Sequence, residues 1–395
     1  MRVTAEDDVA IAGRKDDGAE LSCALYARTI GEGERAVSIC PILNGIWTSF
    51  LDHSTWGRYT QPLPRPQALA VAEEMRLYDA VGLATWIGED FDARVLSALE
   101  AHREAQHREQ GGGDGGGGEG GGGDGGGGDG DGGTRGASLL PYSIIVESGH
   151  NVGANLDALA TRLGPQAIRW VQLGPPALEH LPAYRMARIQ GKVAAYGVED
   201  YTPEMLREFA KAVPIATAQQ EINPIVRPSA EAVAACKEIG CRFVAYGPLL
   251  GGLLSDAYLG ASRPTPDAQH SKQWDYLASI DAWADWGRFQ DLLRVLRAVG
   301  DAHGGLPIAT VALAYVLQLD GVVAAIVGVR LGLGAIESSE GGDAAPGEQE
   351  AATHYHRRHR RATLEALRLV LAGEDVQAID AAVSAGTIRD GLART

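Results

Sequence analysis

Short runs of β-branched and aromatic residues alternate along much of this chain with segments whose apolar positions recur every three or four residues. The runs are PILNGI (41–46), VGLATW (81–86), YSIIVE (142–147), IRWVQL (168–173), KVAAYGV (192–198), PIATAQ (214–219), CRFVAYG (241–247) and VVAAIVGV (322–329). Between them, NLDALATRLG, TPEMLREFAKAV and SAEAVAACKEIG have helical spacing. Strands that alternate with helices predict a parallel sheet. Eight such units over about 250 core residues suit a closed (β/α)8 TIM barrel better than an open doubly wound sheet. PILNGIWTSF is not followed by G-x-G-x-x-G and a helix, so the dinucleotide fingerprint of a doubly wound fold is absent.

Two stretches break the rhythm. Residues 111–133, GGGDGGGGEGGGGDGGGGDGDGG, offer nothing to bury, and their spaced acids keep them solvated, so a flexible insertion is expected over 108–137. A second irregular insertion is expected over 337–361, ending in the basic HYHRRHRR, which is read as a solvated patch. The expected organisation is an N-terminal tail with a candidate barrel-bottom hairpin over 1–37, then one barrel over 38–390 carrying both insertions.

A formal charge of −16 argues against a nucleic-acid backbone or an anionic membrane surface as partner, though not against a small anion in a local basic pocket. No apolar run approaches the roughly 20 residues that span a bilayer. The acidic start, MRVTAEDDVAIAGRKDD, lacks the apolar core of a secretory signal, so a cytoplasmic protein is expected. Cys23, Cys40, Cys236 and Cys241 match no zinc spacing and are expected to be reduced and mostly buried. No metal site is expected.

In a barrel of this kind chemistry sits at the C-terminal ends of the strands. There the chain reads AYGPLLGGLL, then YLG, IDAWADWGRFQDLL and AAIVGVRLG. With NGIW (44–47), MRLYDAVGLAT (75–85), RPSAEAVAACKEIG and LAGEDVQAIDAA, these motifs resemble the aldo/keto reductase superfamily, in order, over roughly residues 38–385 outside the insertions. The resemblance implies an eight-stranded barrel holding an extended NADP(H). It places Tyr246 against the nicotinamide, where a flat ring offers stacking area; a Tyr that merely closes the barrel mouth is the plain alternative. It places Pro248, Leu249 and Gly251 in the loop whose backbone approaches the pyrophosphate, which glycine permits because it lacks Cβ. Gln219 matches a carboxamide-binding Gln, against the alternative of a polar residue satisfied inside the barrel. Gly328 and Arg330 lie past the last strand, where a guanidinium could pair with a 2′-phosphate or simply make a surface contact.

The proton-delivering half departs from the family, which uses a Tyr made acidic by a Lys and Asp, with a His that orients the carbonyl. Here WIGEDFDAR puts Ile87 and Asp92 in place of the Asp and Tyr, IIVESGHN puts Ser148 or Gly149 in place of the Lys, and Gly174 stands for the His. Glu199-Asp200 replaces a Ser-Asn carboxamide clamp. Asp92 and His150 are the substitute candidates for the catalytic acid; a carboxyl of ordinary pKa, about 4, has no proton to give at pH 7, whereas an imidazole near about 6.5 does. The expected function is NADP(H)-dependent oxidation or reduction of a small carbonyl or hydroxyl compound, weak or with a non-standard proton donor. The alternative is an inactive barrel that binds a nicotinamide nucleotide or another small ligand.

Overall fold

The computed structural model describes residues 27–31, 33, 36–45, 64–76, 82–87, 93–111, 143–146, 152–164, 168–174, 180–265, 271–329 and 359–390. Most of both expected insertions, and the candidate residues Asp92, His150 and Arg330, lie outside them. Residues 108–111 continue a helix, and residues 359–361 begin one.

Antiparallel strands β1 (Arg28–Ile30) and β2 (Val37–Ile39) precede the barrel. Eight parallel strands then close on themselves: β3 (Ile42–Gly45), β4 (Gly82–Ile87), β5 (Ser143–Val146), β6 (Trp170–Leu173), β7 (Ala195–Glu199), β8 (Ile215–Glu221), β10 (Arg242–Tyr246) and β11 (Val322–Gly328), with β11 pairing back onto β3. Each overlaps an apolar run in the sequence, with its ends shifted by at most three residues, because a strand buried on both faces is a nearly continuous hydrophobic segment. A short β9 (Val226–Arg227) pairs outside the barrel with β12 (Arg389–Asp390).

The interior and exterior of the barrel are separate cores. Inside, Leu43, Trp170, Ala195, Val244, Ala324 and Ile326 pack with Ile30, Val37 and Ile39 of the hairpin. Arg28 donates to the carbonyls of Val322 and Val323 at 3.0 and 3.1 Å, so the hairpin plugs the end of the barrel where β11 begins. Outside, helices cover the strands: α1 (Arg65–Arg76), α2 (Ala93–Gly111), α3 (Val152–Leu163), α4 (Leu181–Ile189), α5 (Pro203–Ala210), α6 (Ala230–Ile239), α7 (Ser271–Trp283), α8 (Trp286–Ala302), α9 (Ile308–Leu317), α10 over 359–368 and α11 (Gly373–Val383). Thr202 and Ser229 cap α5 and α6 by accepting from Met205 N and Ala232 N, and Gly240 ends α6 at φ 81°, a conformation open chiefly to glycine. Among the described residues no helix is long and apolar enough to cross a membrane.

Cys236 and Cys241 are buried free thiols, and the hydrogen bond between them with their burial pushes the Cys236 thiol up. Cys40, in contrast, is disulfide-bonded, which corrects the expectation of four reduced cysteines.

The aromatic segment IDAWADWGRFQDLL is spent on the barrel itself. Trp286 Nε1 donates to Ala261 O at 2.9 Å, and Gln290 holds both Tyr258 O and Gly260 N, which ties α8 to the chain that leaves β10. Trp283, 2 % exposed, donates to Val383 O at 2.9 Å and accepts Thr387 N at 2.8 Å, fastening the chain after α11. Trp283→Ala should therefore cost about 3–5 kcal/mol and free the segment after Val383, read as a lower urea midpoint and faster amide exchange over 384–390.

Candidate functional site

At the C-terminal end of the barrel a column of hydrogen bonds climbs from the core to the mouth. Trp170 Nε1 donates to Thr217 Oγ1 at 3.1 Å, and Thr217 Oγ1 donates to Gln172 Oε1 at 3.5 Å. Gln172 Nε2 in turn donates to Gln219 Oε1, and Gln219 Nε2 donates to Glu199 Oε1 at 2.8 Å. Register explains the sequence of partners. Gln172, Gly197 and Thr217 are paired across β6, β7 and β8, and Glu199 pairs with Gln219 two residues further along. Gln172 and Gln219 are 0 and 2 % exposed, and amides so buried must find partners.

Beside the column, Tyr246 at the end of β10 reaches across β8 to the residue after β7. Its hydroxyl donates to Asp200, with both carboxylate oxygens within reach at 3.1 and 3.0 Å. Asp200 stands at φ 52°, a left-handed conformation that Asp and Asn adopt more readily than other side-chain-bearing residues, and its N–H is held by Gln219 O at 2.9 Å. Glu221, 2 % exposed at the end of β8, accepts from Asn223 Nδ2 at 3.2 Å. Three carboxylates thus line one arc of the mouth.

The loop after β10 turns tightly. Gly247, Gly251 and Gly252 have φ of 62°, 63° and 92°. Gly247 and Gly251 face the ring of Tyr276 on α7: a Cβ would stand 2.9 Å from its Cε1 and hydroxyl at Gly247, and 2.6 Å from its Cδ2 at Gly251. Gly252 differs, for nothing lies within 4 Å of its Cβ position, and the same holds at Gly328 on the neighbouring β11.

Of the residues singled out in the sequence, Gln219, Tyr246, Pro248, Leu249, Gly251 and Gly328 are gathered at the ends of β8, β10 and β11, with Pro248 buried and Gly251 exposed. Gly174, at the position of the family's His, presents only backbone, which accepts from Tyr201 at 3.5 Å. Gln172, Glu199, Asp200 and Tyr276 were not picked out as site residues. The first had a legible signal, an isolated amide in an apolar strand run. Among the described residues no group of three or more His, Cys, Asp or Glu is placed to hold a metal ion.

The sequence profile of the aldo/keto reductase family matches residues 167–332, the segment that carries Gln172, Glu199, Asp200, Gln219, Tyr246 and the glycine loop. That segment resembles the aldo/keto reductase family. Over 134 residues the chain is 28 % identical to an aldo-keto reductase of Strobilurus tenacellus, and over 133 residues 35 % identical to flagellar radial spoke protein 5 of Chlamydomonas reinhardtii. These alignments cover about a third of this chain (32 and 33 %) and 38 and 25 % of those proteins. The fold is shared with a glycerol dehydrogenase of Gluconobacter oxydans at TM-score 0.52 and 15 % identity, covering 84 % of this chain and 95 % of that one. It is shared with an aldo/keto reductase from Klebsiella pneumoniae, solved with NADP and acetate, at TM-score 0.51 and 15 % identity, covering 87 and 91 %.

Within the barrel, Gly197 is what makes room for the column. A Cβ there would stand 2.5 Å from Gln172 Oε1 and closer still to Thr217 Oγ1. Gly197→Ala should destabilise the protein by about 1–3 kcal/mol through overpacking. The cost should shrink in a Thr217→Ala background, as read by paired urea titrations.

Proposed function

We propose that this chain is an NADP(H)-dependent oxidoreductase acting on carbonyl or hydroxyl groups of small molecules. The observation that carries the reading is that the segment matched by the family, residues 167–332, brings a mouth-facing Tyr246 beside backbone left open at Gly252 and Gly328. A nucleotide's pyrophosphate needs bare amides at strand and helix ends, and the space a Cβ would fill is free at both glycines. The residues present fit the cofactor on that side. Pro248, Leu249 and Gly251 complete the loop, and Arg330 is our candidate for the 2′-phosphate.

Bound there, a nicotinamide supplies or accepts the hydride that interconverts carbonyl and alcohol. The chain's own part is to orient the ring against Tyr246 and to exchange a proton with the substrate oxygen. Tyr246 is oriented for the first task by its hydrogen bond to Asp200. For the second, we keep Asp92 and His150 as candidates, both on segments that follow barrel strands. A second reading, a barrel that binds the nucleotide without turnover, is favoured by one observation: the described polar groups of the mouth satisfy one another, Gln219 with Glu199 and Tyr246 with Asp200.

Titration with NADPH, followed by its fluorescence, should show saturable binding; none at high micromolar nucleotide would remove both readings. A steady-state assay over broad aldehydes and quinones then separates them. If His150 or Asp92 delivers the proton, His150→Ala or Asp92→Asn should lower kcat about 10²- to 10⁴-fold with nucleotide affinity retained. Turnover unchanged in both variants would exclude them.

A further inference from the structure

The loop that leaves β10 carries the open backbone at Gly252, and from Asp256 to Ala261 it is fastened to the helix behind it. Arg297 donates to Asp256 at 2.7 Å, Gln290 bridges Tyr258 O at 2.8 Å and Gly260 N at 2.6 Å, and Trp286 donates to Ala261 O at 2.9 Å. Trp286, Gln290 and Arg297 recur at i, i+4 and i+11, which puts all three on one face of α8. Gln290 is the central fastening and is 7 % exposed. Between its two partners Leu259 is extended, at φ −68° and ψ 119°, so Tyr258 O and Gly260 N turn to the same side. A strand presents its edge in that way, and the carboxamide stands in for the peptide group of a neighbouring strand. An ionised Glu at this position would meet Gly260 N alone, and a Met would meet neither.

From this geometry we infer that Gln290 is a positioning residue for the nucleotide: it holds the loop after β10 in its open-backbone form before any ligand arrives. The inference rests on the cofactor reading above. Gln290 touches the loop and acts on the nucleotide only through it. A loop ordered in advance spares the binding step the entropy of ordering it. Without the bridge, the loop samples other forms and the nucleotide selects the competent one. If about one molecule in ten is then competent, the apparent dissociation constant rises about tenfold.

The test compares the full chain with Gln290→Met and Gln290→Glu. NADPH fluorescence reads affinity, stopped-flow mixing reads association, and amide exchange is followed on the nucleotide-free proteins. For the native chain the association rate should rise linearly with NADPH. Gln290→Met should exchange faster over 252–261 and bind NADPH about tenfold more weakly, with its circular dichroism unchanged. Its association rate should level off with concentration, because ordering of the loop becomes limiting. Gln290→Glu, which keeps the contact to Gly260 N, should fall between the two and serves if the first variant does not fold. A lower urea midpoint with an unchanged dissociation constant in both folded variants would make Gln290 merely structural and overturns the inference. A native association rate that itself levels off also overturns it, and both results leave the cofactor reading standing. Absence of NADPH binding by the native chain overturns the cofactor reading, and the inference with it.

Discussion

A carboxylate turned into the mouth of a barrel has to be met by donors, because an ion half out of water with nothing to hold it is costly. In this chain the end of β7 sets that demand twice, at Glu199 and Asp200, and the neighbouring strands answer it. β8 supplies Gln219 to the first, and β10 supplies Tyr246 to the second. Gln219, once committed to Glu199, needs a donor for its own oxygen, and Gln172 provides it. Gln172 then needs one in turn, which Thr217 gives while accepting from Trp170. The order of side chains up the barrel follows from the charge at its rim, and Gly197 follows from the volume that order occupies.

The loop after β10 is governed by a different constraint, the ring of Tyr276. Two of its left-handed glycines, Gly247 and Gly251, lie where α7 presses that ring onto the backbone. Gly252 in the same loop faces space instead, as does Gly328 on the neighbouring β11. A single glycine-rich motif therefore does two jobs. One part lets a helix seal the outside of the loop, and the other keeps backbone accessible. Asp256 extends the first job, holding Arg297 at 2.7 Å and Ile308 N at 3.1 Å so that the start of α9 is tied to the same segment.

The strands were legible because both faces of a closed parallel barrel are buried, so each appears as an apolar run such as CRFVAYG or VVAAIVGV. The grouping of Gln219, Tyr246, Pro248, Leu249 and Gly328 was legible too, because barrel topology brings strand ends together whatever their separation in the chain. What those side chains touch was not. Glu199-Asp200 could be seen as a replacement for Ser-Asn, but nothing local reveals that the two acids would claim Tyr246 and Gln219 from strands that follow. Tyr276 was hidden for a similar reason. It lies within a helix of ordinary pattern, and its contact with Gly247 and Gly251 exists only once α7 folds back on the loop.

Charge at the rim and packing in the interior are thus one system. A change deep in the barrel, at Trp170, reaches Glu199 through three hydrogen-bonded side chains, Thr217, Gln172 and Gln219, none more than 2 % exposed. Asp200 is tied to the same column, through the backbone of Gln219 as well as through the hydroxyl of Tyr246. Gln219 thus holds one acid by its side chain and the other by its carbonyl, so a shift of β8 at that residue reaches both carboxylates together.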